Sequence, residues 1–476
     1  MRYGFVIDQR TCIGCHACTV ACKTEHEVPV GQFRTWVKYI DKGEWPQTTR
    51  AFGVMRCNHC TDAPCVAICP TKALFKREDG IVDFDADRCI GCKSCMQGCP
   101  YDAIYIDEDT RTAAKCNFCA HRVDDGLEPA CVVVCPTRSI WVGDLDDPTS
   151  GIAQLVSTSP TTVRAPEQRT GPNVLYLGAD PAVLDPLAAP VADSYLWATP
   201  DRQRSRAAHD LAPDPASDAR TTLNTAHPRP WGWRVTTYLW TKGVGAGVLG
   251  VTAGALVAGM PAEGVLRVAA PAIGVGFTAV TGALLVWDLK RPARFWYIFA
   301  KANPRSWLFW GSVCMARYSG IAGGWLAAAL ARSFDLVGPA TFGRLLSVAR
   351  WPALPAAAAA AGYTAFLFGQ AEGRDLWQSK LLLPHLLVQA VQAGSGVLLA
   401  LSAWSGPQKV TTMLARTFVA ASAANLAVIA AEYGSRHETA QARAAARIVT
   451  KGRYRRLFWG AQWGSRWQPR ASRSPR

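Results

Sequence analysis

Histidine is scarce in this chain of 476 residues. Eight histidines are present, and His385 is the only one that lies within a long apolar segment. A haem in a membrane cytochrome b needs histidine side chains as axial ligands. One intramembrane histidine cannot supply two of them, so the sequence predicts no haem.

Cysteine and acidic residues are both unevenly distributed. Of the 17 cysteines, Cys314 is the only one after residue 136, and its apolar neighbours predict a packing role. Residues 1–150 carry 17 Lys/Arg and 21 Asp/Glu, a net charge of −4, whereas the whole chain is +15. Residues 151–476 therefore carry a net charge of +19. The chain joins an acidic, cysteine-rich part to a basic, apolar part.

The N-terminal stretch MRYGFVIDQRTC has neither an apolar signal-peptide core nor a twin-arginine motif. We therefore expect no export and no disulfide framework. Clustered thiols in such a chain favour metal ligation.

Sixteen cysteines form four consecutive groups of four. The first and third groups share the spacing C-x2-C-x2-C-x3-C, and in the last three groups proline follows the final cysteine. The groups are Cys12, Cys15, Cys18 and Cys22; Cys57, Cys60, Cys65 and Cys69; Cys89, Cys92, Cys95 and Cys99; and Cys116, Cys119, Cys131 and Cys135.

This spacing is typical of bacterial ferredoxins, in which the fourth cysteine ligates the other cluster of a pair. Sixteen thiolates predict four [4Fe–4S] clusters. The alternative is zinc, which favours two CxxC pairs separated by a longer stretch. The fourth group alone fits that alternative, whereas three cysteines at successive i+3 steps overcrowd one tetrahedral ion.

Two segments after Cys-Pro pairs, KALFKREDGIVDFDADRC and DAIYIDEDTRTAAKC, predict short β-hairpins with acidic turns. Four histidines lie beside cysteines. Because each group already has four thiolates, we expect these histidines to surround the clusters or lie at the surface. They are His16, His26, His59 and His121.

The order of the groups, the long loop in the fourth, and the stretch EHEVPVGQFRTW resemble the four-cluster electron-transfer subunit of the dimethyl-sulfoxide-reductase family of molybdenum enzymes. The resemblance covers about residues 1–178. It implies that the first and fourth groups exchange their last cysteines, as do the second and third. The implied ligand sets are Cys12, Cys15, Cys18 and Cys135 (set I); Cys116, Cys119, Cys131 and Cys22 (set II); Cys57, Cys60, Cys65 and Cys99 (set III); and Cys89, Cys92, Cys95 and Cys69 (set IV).

The rest of the sequence divides into three parts. Residues 179–232 have the Ala, Pro, Asp and Arg content of a linker, and we expect no core of their own. Residues 233–432 contain six apolar runs of membrane-crossing length, with tryptophans near their ends. Residues 433–476 form a basic tail that starts a further helix and breaks off. The six runs are 237–260, 268–287, 307–331, 353–371, 381–404 and 411–431.

Between the second and third runs lies DLKRPARFWYIFAKANPRS. This segment resembles the membrane anchor of polysulfide reductase, the NrfD-type family, over roughly residues 236–460. The resemblance implies an integral membrane subunit that handles quinone without haem. That family usually has eight helices, so the tail departs from its pattern.

Charged residues within or beside the apolar runs are candidates for the quinone site, because membrane charges tend to face cavities or partners. Asp288 and Arg291 belong to the motif, while Arg317 and His385 lie inside helices. For Lys242 and Arg416 the favoured interpretation is snorkelling, in which the side chain extends from near a helix end towards the membrane surface. Glu372 and Glu432 are weaker candidates.

Together these features predict an α+β ferredoxin-like tetracluster iron–sulfur domain followed by an all-α transmembrane helical bundle. The predicted function is electron transfer between a separate molybdopterin-containing catalytic subunit and membrane quinone, either menaquinone or ubiquinone. Nucleic acid is not an expected partner. A redox sensor or scaffold and a subunit of a hydrogenase-type complex are the alternatives. The Lys/Arg bias predicts a cytoplasmic cluster domain on the same side as the 288–306 loop, the 372–380 loop and the tail.

Overall fold

The computed structural model describes residues 1–43, 46–189, 219–225, 231–435 and 437–463. Short strands and helices make up the first part, and long helices the second. The strands are β1 (Tyr3–Asp8), β2 (Thr35–Lys42), β3 (Thr49–Arg56), β4 (Leu74–Lys76), β5 (Val82–Phe84), β6 (Ile104–Ile106), β7 (Ala113–Lys115), β8 (Ile140–Asp144), β9 (Thr161–Thr162), β10 (Val174–Leu177) and β11 (Arg220–Leu223). The short helices are α1 (Ala17–Glu25), α2 (Pro64–Ile68), α3 (Ser94–Gly98), α4 (Ala120–Asp124), α5 (Ala130–Val133), α6 (Gly151–Thr158) and α7 (Pro181–Leu184).

A sheet in the order β8-β1-β10-β9 forms the base of the cluster domain, with β1 parallel to β10. Phe5, Ile7, Val174 and Tyr176 fill its core and are fully buried. The opposite face is covered too, because Val6 and Leu177 pack with Ile152 of α6 in a second apolar cluster. The two predicted hairpins are confirmed as β4–β5 and β6–β7.

Part of the predicted linker packs against this domain. Strand β11 pairs antiparallel with β2, joining Thr221 to Ile40. Ala182 and Val183 of α7 belong to the same core as Trp36 and Ile40. Residues 190–218 and 226–230 lie outside the described residues.

Six long helices follow. They are α8 (Trp233–Val257), α9 (Ala269–Asp288), α11 (Trp307–Ser333), α12 (Pro339–Gly369), α13 (Leu382–Ser405) and α14 (Gln408–Gly434); α10 (Tyr297–Ala300), α15 (Ala440–Thr450) and α16 (Arg455–Trp463) are short. Among the described residues, five of these six helices are long and apolar enough to cross a membrane. Helix α11 is the exception.

Helix α12 corrects one prediction. The fourth apolar run in the sequence starts at 353, but the helix begins at Pro339 and continues through Pro352 and Pro355. Proline usually marks a helix boundary. Within membrane bundles it is tolerated, because neighbouring helices satisfy the freed backbone groups.

Candidate functional site

The cysteines converge across the sequence. Cys12, Cys15, Cys18 and Cys135 line one cavity. A second cavity is lined by Cys69 together with three cysteines of the third group, namely Cys89, Cys92 and Cys95. These are two of the implied ligand sets, I and IV.

The other two sets are recognised by the electrostatic effect of one thiol on another. Burial is the main cause that raises the pKa of Cys60 to about 12, and the neighbouring charges of Cys57 and Cys99 contribute to the rise. Burial likewise raises the pKa of Cys22, and Cys116, Cys131 and Cys119 add to it. The cysteines of set II therefore lie close to one another, and so do Cys57, Cys60 and Cys99 of set III.

The ligand loops have a shared backbone geometry. Gly14 and His16 of the first group have φ values of 67° and 60°, and Gly91 and Lys93 of the third have 68° and 65°. These left-handed residues curl each loop around its thiols. The amides of Gly91 and Ala113 donate to Cys89 Sγ at 3.4 Å each, and that of Ser139 donates to Cys135 Sγ at 3.3 Å. Such donors stabilise thiolates.

The donor set fits [4Fe–4S] clusters. Within the described ranges, no three His, Cys, Asp or Glu side chains converge closely enough to hold a single metal ion. In a cubane each thiolate binds its own iron, so four thiolates surround the cluster rather than meet at one point. Burial raises the pKa of Cys92 and of Cys99 to about 12, so both would be protonated at neutral pH without metal.

The four histidines have different surroundings. His26 Nε2 lies 3.1 Å from Cys119 Sγ, and burial is the main cause that lowers the pKa of His26 to about 4. His59 is fully buried and accepts the Val82 amide at Nδ1. His16 contacts the Tyr39 hydroxyl, and the exposed His121 contacts Glu25.

Three buried cations were not predicted from the sequence: Arg56, Lys93 and Lys115 are at most 3% exposed. Arg56 Nη1 donates to Cys131 Sγ at 3.2 Å, and Lys115 Nζ donates to the Cys116 carbonyl at 2.9 Å. Each cation is adjacent to a cysteine in the sequence. That adjacency is the signal that could have identified them.

The membrane motif docks directly onto the loops of set IV. The amides of Lys290 and Arg291 donate to the carbonyls of Gly91 and Ile90, both at 3.2 Å. Asn303 Nδ2 donates to the carbonyl of the predicted cluster ligand Cys69 at 2.7 Å. A β-carbon on Gly91 would lie 2.5 Å from Lys290 Cβ, so this approach requires glycine.

Of the predicted quinone residues, Asp288 and Arg291 lie in this interface. Asp288 pairs with Lys93, and Arg291 Nε donates to the Thr110 carbonyl. His385 lies in α13, where Nδ1 is 2.9 Å from Glu432 Oε2 and Nε2 is 2.9 Å from Gln389 Nε2. Arg317 is on the exposed face of α11. The structure therefore does not bring these four residues into one site.

A cavity of about 640 Å³ opens where the cluster domain meets the bundle. Trp231, Phe368 and Trp377 line it as a group of rings, with Phe368 and Trp377 stacked at 4.2 Å between centroids. Trp231 Nε1 donates to the carbonyl of the predicted cluster ligand Cys92 at 3.2 Å. Gln97, two residues before Cys99, forms part of the wall.

Comparison with known proteins identifies both parts of the molecule. Residues 49–145 match the 4Fe-4S dicluster domain, and residues 221–464 match the polysulphide reductase, NrfD family. The chain belongs to the NrfD family. It is therefore a multi-pass membrane protein in which an NrfD-type anchor is fused to an iron–sulfur domain that carries [4Fe–4S] clusters.

Curated relatives resemble this protein over about two fifths of its length. The B subunit of tetrathionate reductase from Salmonella typhimurium is 44% identical over 200 residues, covering 41% of this sequence and 80% of that protein. The corresponding B component of polysulfide reductase from Wolinella succinogenes is 43% identical, covering 34% and 85%. The arsenate respiratory reductase iron–sulfur subunit of Shewanella sp. is 36% identical, covering 37% and 96%. All three are subunits of reductases.

Proposed function

We propose that the chain carries four [4Fe–4S] clusters that conduct electrons between a molybdopterin-containing catalytic subunit and membrane quinone. The observation that carries this proposal is the bond from Trp231 to the Cys92 carbonyl, because it joins the wall of the aromatic cavity directly to a cluster-ligand loop. A quinone in that cavity would lie next to set IV.

The order of the ligand sets supports a continuous path. Cys18 of set I is close to Cys131 of set II, whose charge raises the pKa of Cys18 after the larger effect of burial. Cys57 of set III is similarly affected by Cys116 of set II. Cys95 of set IV is affected by Cys65 of set III. The sets thus follow one another from I to IV.

Set I is the end that faces outward. Cys15 is exposed. Exposed apolar side chains lie on the same and neighbouring segments, including Ile13 (57% exposed), Val20 (61%) and Val133 (62%). Apolar surface of this kind marks protein interfaces. We assign this surface to the catalytic subunit, in keeping with relatives named as subunits of tetrathionate and polysulfide reductases.

Quinone reduction takes up two protons as well as two electrons, so the anchor must also exchange protons. Burial, with help from Asp62, raises the pKa of Glu372 to about 7, which suits a group that exchanges protons near neutral pH. Glu372 precedes Gly373 and Arg374, which line the aromatic cavity. The His385–Glu432 pair is the second candidate for this role.

The proposed orientation is that predicted from charge, with the cluster domain in the cytoplasm. The tail meets that domain, since Gln441 Nε2 lies 3.2 Å from Glu167 Oε1. The 288–306 segment docks on it through Asn303 and Arg291. Lys/Arg residues of both segments therefore lie on the cluster-domain side, and such bias marks the cytoplasmic side.

Two experiments test this proposal. Affinity purification of the full chain from native membranes should recover a larger subunit with stoichiometric molybdenum, and substrate turnover by the chain alone would contradict the partner assignment.

Modification of an introduced Glu167→Cys thiol by a membrane-impermeant reagent tests the orientation of the cluster domain. The thiol should react in inverted membrane vesicles and not in whole cells, and the reverse pattern would place the cluster domain outside.

A further inference from the structure

Arg56 is a buried cation for which the described residues provide no carboxylate partner. Its side chain is 0% exposed at the end of β3. No ion pair joins it to any residue in the described part of the chain. Nη1 donates to Cys131 Sγ at 3.2 Å, and the guanidinium carbon lies 4.4 Å from the centre of the Phe5 ring. Nε and Nη2 are buried and have no hydrogen-bond partner within the ranges that the structure describes.

The charges that face this guanidinium belong to cluster ligands. Cys131, Cys116 and Cys18 are its electrostatic neighbours. The first two belong to set II and the third to set I. Arg56 therefore lies between the two sets, with a direct bond to set II.

A guanidinium buried in this way is strongly unfavourable unless negative charge compensates it. A [4Fe–4S] cluster with four thiolate ligands supplies that charge, and its sulfur atoms supply hydrogen-bond acceptors for Nε and Nη2. Cluster potentials depend on net charge and on hydrogen bonds to sulfur.

We propose that Arg56 raises the reduction potential of the cluster held by Cys22, Cys116, Cys119 and Cys131. Reduction adds one electron and no proton, and neither makes nor breaks a bond, so this cluster becomes one unit more negative. A fixed positive charge stabilises the reduced form more than the oxidised form. Arg56 thereby favours electron occupancy at the second position of the path. This inference rests on the proposed four-cluster function.

The set II cluster offers an internal comparison. His26 also contacts one of its ligands, Cys119, at 3.1 Å. A neutral imidazole can donate a hydrogen bond without adding a positive charge, whereas the guanidinium of Arg56 supplies both.

The test is an anaerobic redox titration of the full-length protein followed by EPR, with the set II signal identified by its loss in Cys119→Ser. Arg56→Gln should shift the midpoint potential of that signal downward, whereas Arg56→Lys, which keeps the charge, should shift it less. Lys38→Met is the matched control, since Lys38 is a buried cation whose charged neighbours are Arg164 and Asp185. An Arg56→Gln protein with all four signals at unchanged potentials would overturn the proposal.

A second measurement covers the case in which Arg56→Gln fails to assemble. Wild-type protein labelled with [guanidino-¹⁵N]arginine should show a ¹⁵N hyperfine coupling at the reduced set II cluster by pulsed EPR. The coupling should vanish in Arg56→Lys. Absence of the coupling in the wild type would reject the contact. The wild-type iron content tests the four-cluster premise separately, with about sixteen irons per chain expected.

Discussion

Lys93 Nζ lies 2.8 Å from Asp288 Oδ2, and the two side chains are only 3% and 12% exposed. Lys93 follows the predicted cluster ligand Cys92, and Asp288 ends helix α9. This ion pair thus connects the loop of the third cysteine group to a membrane helix. It gives a structural role to the aspartate of the membrane motif.

Removing either partner alone should loosen the interface. Breaking a buried ion pair leaves an uncompensated charge and costs about 3–5 kcal/mol, whereas replacing both partners with apolar residues is often neutral. Lys93→Met or Asp288→Leu should therefore accelerate hydrogen exchange at the Lys290 and Arg291 amides by roughly two to four orders of magnitude. The double variant should exchange more slowly than either single variant. Unchanged exchange in both single variants would show that the pair does not hold the interface.

Loss of one cysteine should remove one cluster. Cys95 is buried in set IV, and its replacement by serine should lower the iron content from about sixteen to about twelve per chain. Cys314→Ser is the control and should keep the full iron content. Inductively coupled plasma mass spectrometry gives the count. Stoichiometric zinc with little iron in the wild type would reject the cluster assignment.

The raised pKa of Glu372 predicts a dependence of stability on pH. Its pKa of about 7 in the folded protein exceeds the ordinary value of 4.5, so the folded state binds the proton more tightly. The stability contribution is therefore fully present below pH 4.5 and is lost as pH rises through about 7.

Glu372→Gln should remove this dependence and raise the thermal midpoint at pH 8 relative to the wild type. Glu438→Gln is a suitable control, because Glu438 is 84% exposed. Differential scanning fluorimetry in detergent at pH 5 and pH 8 measures the difference. A wild-type-like pH profile in Glu372→Gln would disprove the assignment.

Trp377 should contribute to quinone binding through its face in the aromatic cavity. Trp377→Ala should raise the KM for a soluble quinone analogue roughly tenfold, which corresponds to about 1.4 kcal/mol of lost contact. Trp404, which is 93% exposed at the end of α13, supplies the control variant Trp404→Ala. Equal KM values in the two variants would exclude the cavity as the quinone site.

Local patterns in the sequence were sufficient for much of the fold. The cysteine spacing predicted the four ligand groups, and the acidic turn containing Gly80 predicted the β4–β5 hairpin. Apolar length predicted all six long helices, with an error of 14 residues at the start of α12, which extends from Pro339 through Pro352. These features depend on neighbouring residues, so they can be read from the sequence.

Long-range contacts could not be read in the same way. The pairing of β11 with β2 joins segments far apart in the chain. The bond from Asn303 to Cys69 depends on how two domains meet, and no local pattern encodes that orientation. Arg56 and Lys93 looked like ordinary charged residues, because their burial results from the folded ligand loops around them.

The most direct test of the account is reoxidation of the reduced clusters by quinone. The full-length protein, reconstituted in liposomes and reduced with dithionite under anaerobic conditions, is freed of excess reductant and mixed with a menaquinone analogue. Visible absorption and EPR then follow the clusters in time. The account predicts that all four clusters become oxidised and that Trp377→Ala slows the process while Trp404→Ala does not. Clusters that stay reduced with quinone, but are oxidised at once by ferricyanide, would contradict an electron path from the ligand sets to the membrane.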